Sequence, residues 1–190
     1  MMTRNTRRGV RGAQVVFLLG CAAAAACADS PSSKDATPTM AINGPAGVPP
    51  GADPTSFRTV EPVFERRCGS LDCHGTLARG LRIYSTEGLR VPNEAGVLPG
   101  SGATTADEFN ANYASLVGLE PEKMNTFLAT SPRTADDAYK LVILSKPLEL
   151  ERHKGGPALT KGEPAEQCII TWLIGTKLDP VLCATGAKPL

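Results

Sequence analysis

The six cysteines constrain this 190-residue chain more than any other residue type, because they fall in three pairs with different surroundings. Cys21 and Cys27 lie in an apolar N-terminal stretch. Cys68 and Cys73 sit mid-chain with His74 beside the second, and Cys168 and Cys183 lie near the C-terminus. What each pair can do depends on the compartment, and the N-terminus speaks to that. Arg4, Arg7, Arg8 and Arg11 precede the first acidic residue, Asp29, and an apolar run from Gly12 to Ala26 is interrupted only by Gln14 and Cys21. A basic segment leading into an apolar stretch of this length has the form of an export signal, and it falls short of the ~20 residues of a comfortable membrane span. Residues 1–27 are therefore expected to be a lipoprotein signal peptide, and the folded part to work in the periplasm or at the outer membrane. A plain secretory signal cleaved among the alanines is the alternative. Leu18-Leu19-Gly20 before Cys21 is the better lipobox, whereas lipidation at Cys27 removes Cys21 with the leader and leaves the other four cysteines in two pairs. Both sites stay open. No later segment approaches a spanning helix, so membrane attachment is expected through lipid alone.

Without the leader's four arginines, 16 basic residues face 19 acidic ones, and no basic face argues for nucleic acid. Residues 28–54 are rich in Pro, Gly, Ser and Ala and offer almost nothing to bury; they are expected to be a disordered tether. Residues 55–190 suit one domain. Its periodicity is helical, and an all-α class follows. Phe57, Val60 and Phe64 recur at helical spacing up to Cys68, with Pro62 tolerable in a first turn begun near Thr59. A second helix is expected over 106–117 with Gly118 as its stop, and a third over about 135–144, closed by Pro147. The last begins at Pro164 and ends at Gly175, with Cys168, Ile169, Trp172 and Leu173 on one stripe. Gly and Pro between Leu89 and Thr105 deny regular structure there, leaving a long loop.

The chemistry concentrates in Cys68-Gly69-Ser70-Leu71-Asp72-Cys73-His74-Gly75. Two cysteines with an adjacent histidine are the parts of a c-type haem attachment site: the thiols add to the two vinyl groups, and the histidine sits beneath the iron as proximal ligand. Four residues separate the cysteines here instead of the usual two, and a longer loop still closes on two vinyls. A structural disulfide between Cys68 and Cys73 competes in an oxidising compartment, though it leaves His74 without a role. Zinc held by Cys68, Cys73, His74 and His153 is a third reading, weakened because adjacent residues rarely both face one tetrahedral ion.

Val60 to Cys68, Cys73-His74-Gly75 and Leu81-Arg82-Ile83-Tyr84-Ser85 together resemble the cytochrome c-like domains of planctomycetes and myxobacteria. Leu144-Ser145-Lys146-Pro147, His153-Lys154-Gly155-Gly156 and the stretch from Cys168 to Gly175 are similar to further signatures of that family, so the likeness spans about residues 59–175. The resemblance implies a helical cytochrome c-like fold with long loops, in which the first and last helices cross beside a covalent haem c. For the sixth iron position, His153 is the only histidine besides His74, and two glycines follow it; Met124 is the rival, and an open position the third possibility. Cys168 and Cys183 read as a disulfide tying down the tail. The expected function is a membrane-tethered monohaem electron carrier serving redox partner proteins. A haem enzyme or gas sensor with an open sixth site, and a non-haem structural or binding lipoprotein, are the alternatives. No catalytic constellation is visible in the sequence.

Overall fold

A computed structural model of the chain describes residues 51–91 and 100–189. The expected signal peptide, Cys21, Cys27 and most of the expected tether lie outside the described residues. Within them the fold is all-α. Seven helices run in the order α1 (Pro54–Cys68), α2 (Ala106–Val117), α3 (Pro121–Ala129), α4 (Ala135–Ala138), α5 (Val142–Ser145), α6 (Pro164–Ile174) and α7 (Pro180–Gly186), and no strand occurs among the described residues. None of these helices is long and apolar enough to cross a membrane.

The helix ends follow their local chemistry. Asp53 caps α1 by accepting the Ser56 N–H at 2.8 Å, with Pro54 in the first turn. Thr105 and Glu108 form a capping box on α2. Gly175, at φ 76, closes α6 in the left-handed conformation. α1 therefore starts five residues before the expected Thr59, which places Pro62 in the helix interior. The helix tolerates it because Pro62 lies on the solvent-exposed side, where a carbonyl deprived of its N–H can be hydrated.

The expected third helix is two short ones. Leu141 is extended between them, and the Val142 N–H is taken at 2.6 Å by the Glu120 carboxylate, so a side chain from elsewhere captures a donor that a continuous helix would use. Helices α3 and α7 were not expected from the sequence.

The start of the fold also differs. Residues 51–54 fall within the expected tether, yet Ala52 is fully buried and its N–H donates to the Trp172 carbonyl at 2.9 Å. The Tyr113 hydroxyl donates to the Ala52 carbonyl, and Trp172 Nε1 to the Asp53 carbonyl. This segment is held by its main chain, which hydropathy does not report.

α1 packs against α2, α6 and α7, and α6 also against α4. Phe57 on α1 is the centre of the core, with ring centroids of Phe64, Phe109, Tyr113 and Trp172 at 5.2–6.2 Å. Such pairs contribute about 0.5–1.5 kcal/mol each beyond their buried area, so a chain poor in aromatics places them where α1, α2 and α6 meet. Cys168 on α6 is bonded to Cys183 on α7. At the start of α2, a buried Arg90–Glu108 pair (2.6 and 2.5 Å) ties down both ends of the long loop. Arg90 also donates to the carbonyls of Ser101 and Ala103, while Glu108 accepts from the Val91 and Thr105 N–H groups.

Candidate functional site

Cys68 is the last residue of α1, and the chain folds back sharply behind it. The His74 N–H donates to the Cys68 carbonyl at 2.8 Å, and the N–H groups of Cys73 and Gly75 both donate to the Ser70 carbonyl. Gly75 is obligatory for this path: a Cβ there would stand 2.1 Å from the Gly69 carbonyl oxygen and 2.8 Å from the Gly88 Cα. The following segment straps the loop down. Ile83 N–H donates to the His74 carbonyl, Leu89 N–H to the Gly75 carbonyl, and the buried Ser85 hydroxyl to the Gly69 carbonyl at 2.6 Å. The four residues between the cysteines thus form a defined turn with internal and external bonds. It places Cys68, Cys73 and His74 on one cleft.

The opposite wall is the loop after α5. Pro147 accepts from the Ala158 and Leu159 N–H groups, which closes the loop, and His153 stands within it. The His74 and His153 rings lie 6.2 Å apart between centroids, with planes only 10° from parallel. His74 Nδ1 is 3.1 Å from the Leu81 carbonyl and His153 Nδ1 is 2.7 Å from the Gly156 carbonyl. A carbonyl can only accept, so Nδ1 carries a proton in both rings, and the neutral form of each keeps a bare lone pair on Nε2. Ligand histidines are oriented in this way. Burial pushes the His74 pKa down, against the Leu81 hydrogen bond, which favours the neutral form that a ligand needs. Two imidazoles sharing one ion through Nε2 bonds of about 2.0–2.1 Å, each ring centre about 1.1 Å behind its nitrogen, have centroids about 6.3 Å apart. The observed centroid separation is close to that value, which holds for two Nε2 atoms on opposite sides of one ion.

The cleft between the rings has two lobes that share Cys68, His74, Lys146 and His153. One, of about 190 Å³, is apolar and lined by Phe64, Leu81, Leu116, Leu119, Ile143 and Pro147. The other, of about 560 Å³, is cationic: Arg67, Arg79, Lys146, Arg152 and Lys154 face it, with Asp72 as its acid. Cys68 and Cys73 are unpaired thiols. Burial pushes the Cys68 thiol up to about 12, helped by Cys73 and opposed by Arg67, so it is fully protonated at neutral pH. The expected pairing of Cys168 with Cys183 is present.

Met124, the rival sixth ligand, is buried in the core on α3 and lines neither lobe. Its i, i+3, i+4 partners Phe127 and Leu128 make it part of an ordinary apolar stripe. Among the described residues no group of three or more His, Cys, Asp or Glu side chains converges on an ion, so the four-ligand zinc set is not assembled. Sequence reading overlooked the cationic lobe, although Arg67, Arg152 and Lys154 each adjoin a motif residue. It also overlooked the two carbonyls that orient the rings, which no residue identity announces.

Comparison with models of protein families, with characterised protein sequences and with solved structures finds no match to this chain.

Proposed function

We propose that residues 51–189 form a cytochrome c-like domain carrying one haem c, held covalently by Cys68 and Cys73 and axially by His74 and His153, and that it transfers electrons outside the cytoplasm. The observation that carries the reading is the histidine pair. Two imidazoles with no hydrogen bond at Nε2, their ring centroids 6.2 Å apart and their planes nearly parallel, supply two nitrogen donors to one cleft. A haem brings the other four. A bare ion would need more protein ligands than converge here, whereas an iron already held by a macrocycle needs two.

When bound, the haem supplies a one-electron couple at the iron. The chain's residues hold, orient and desolvate. Leu81 and Gly156 fix the imidazoles through their carbonyls, so both rings would be held in place for the iron. The apolar lobe keeps water from one face of the cleft, and the strapped turn presents both thiols on one side. His74 and His153 would both be used in holding the iron, which favours a carrier over an enzyme or gas sensor requiring an open site. Bis-histidine ligation also places the potential below that of a histidine–methionine haem. The same reading takes residues 1–27 as the export signal, since covalent attachment occurs after translocation, and takes Cys21 or Cys27 as the lipid anchor.

Co-expression of the full chain with haem-attachment machinery, followed by a denaturing gel and haem stain, tests the assignment. A stained band heavier by one haem is expected, and it should vanish in a Cys68→Ala, Cys73→Ala double variant. A colourless band of unmodified mass sinks the proposal. In the stained protein, His153→Ala should convert a low-spin spectrum to high-spin and open the iron to carbon monoxide; an unchanged spectrum removes His153 from the sixth position.

A further inference from the structure

We infer that the cationic lobe of the cleft is a carboxylate-binding site, with Arg67 as its buried anchor. The inference deepens the haem reading and rests on it for one of the two possible sources of the carboxylate. The Arg67 side chain is only 7% exposed. Its Nε donates to the Gly186 carbonyl at 3.1 Å and its Nη2 to Glu163 at 3.3 Å, but its Nη1 is buried with no hydrogen-bond partner. A buried charged donor without an acceptor is costly, and such groups in folded proteins ordinarily have a partner. Arg67, whose charge is paired with Glu163, lines a cavity of about 560 Å³ in which four further cations, Arg79, Lys146, Arg152 and Lys154, outnumber the acid Asp72, so the lobe favours an anion.

A planar carboxylate suits this lobe, because a guanidinium N–H gives it a short charge-assisted bond while the exposed cations satisfy its second oxygen. The group has two possible sources. One is the propionates of a haem seated between His74 and His153. The apolar lobe contains a single cation, Lys146, so the hydrocarbon body would face Phe64, Leu116 and Ile143 and the carboxylates would turn toward Arg67. The other source is a small free carboxylate bound at the mouth of the cleft.

The test uses the full-length haem-loaded protein as wild type, Arg67→Gln, Arg67→Lys and Arg152→Gln. Midpoint potential is measured against pH, and succinate binding by calorimetry. A cation beside a carboxylate lowers its pKa. If propionates occupy the site, the pH-dependent segment of the potential curve moves to higher pH in Arg67→Gln and partly returns in Arg67→Lys, while succinate does not bind. If a free carboxylate is the ligand, succinate binds the haem-loaded wild type and Arg67→Gln weakens it about tenfold or more. Potential curves that superimpose, together with absent succinate binding, overturn the inference and leave the haem reading standing. A colourless wild-type protein overturns the haem reading instead, and succinate binding to that protein then decides the site alone. Should Arg67→Gln fail to fold, Arg67→Lys and the exposed Arg152→Gln carry the same comparison with smaller shifts.

Discussion

Glu61 lies on the face of α1 that meets α2 and is 7% exposed. Burial pushes its carboxyl up to about 7; the Asn112 side-chain amide, donating at 3.0 Å, and Arg58 oppose the rise, while Glu65 and Glu108 add to it. A carboxyl whose folded pKa is raised binds its proton more tightly in the folded state. Folding is therefore favoured most below the unfolded value of 4.5, and that advantage is lost as pH climbs through about 7. The gap between the two values corresponds to about 3 kcal/mol, at roughly 1.4 kcal/mol for each pH unit. Glu61→Gln keeps an oxygen to accept from Asn112 and removes the titration. Urea unfolding of the full chain at pH 5 and pH 8 is the assay. The variant is expected to gain about 2–3 kcal/mol over wild type at pH 8 and less than about 1 kcal/mol at pH 5. If wild type and variant show parallel stability–pH profiles, Glu61 is not the buried acid described, and the argument from its burial fails.

Three further outcomes follow from the packing. Glu108 is pushed up by burial but pulled down to about 2 by its bonds to Arg90 and to the Thr105 and Val91 N–H groups, so its stabilisation holds above pH 4.5 and is lost as pH falls through 2. Glu108→Gln at pH 7 should cost about 3–5 kcal/mol by leaving the Arg90 charge buried without its partner, measurable as a fall in urea midpoint. Gly75→Ala should cost more than about 2 kcal/mol and depress the yield of haem-stained protein, because its Cβ would stand 2.1 Å from the Gly69 carbonyl oxygen. Replacing both Cys168 and Cys183 by Ala opens a loop of sequence separation 15 and should lower stability by about 3 kcal/mol, read by the same unfolding assay.

The parts of the fold that were legible in the sequence are those whose signals are local and redundant. α2 has a Thr105–Glu108 capping box and a glycine stop. α6 has Pro164, an apolar stripe and Gly175, and both appear at the expected bounds. α7 is only seven residues long and depends on Asp179 and the Cys168 link, so its own periodicity is too short to read. α3 was legible in principle, through Pro121 and the Met124–Phe127–Leu128 spacing, but a methionine carries the chemistry of an iron ligand as well as that of a core residue. The split between α4 and α5 depends on a contact from Glu120, 22 residues away in sequence, which no window of periodicity contains. Likewise Cys68, Cys73 and His74 form a contiguous motif, and His153 is singled out by the scarcity of histidine. Arg67 reads as one more charge at a helix end until its depth and its unsatisfied Nη1 are seen.

The oxygens that orient His74 and His153 belong to the main chain, and this decides how the site can change by mutation. Every residue type carries a carbonyl, so position 81 has no chemical duty toward His74; its side chain need only suit the apolar lobe, and Ile, Val or Met would leave the acceptor in place. Position 156 is narrower, because its φ of 76 favours glycine whatever the carbonyl does. Drift therefore acts on the path of two loops rather than on a set of polar side chains. Relatives of this chain could preserve both oriented imidazoles while sharing few residues around them.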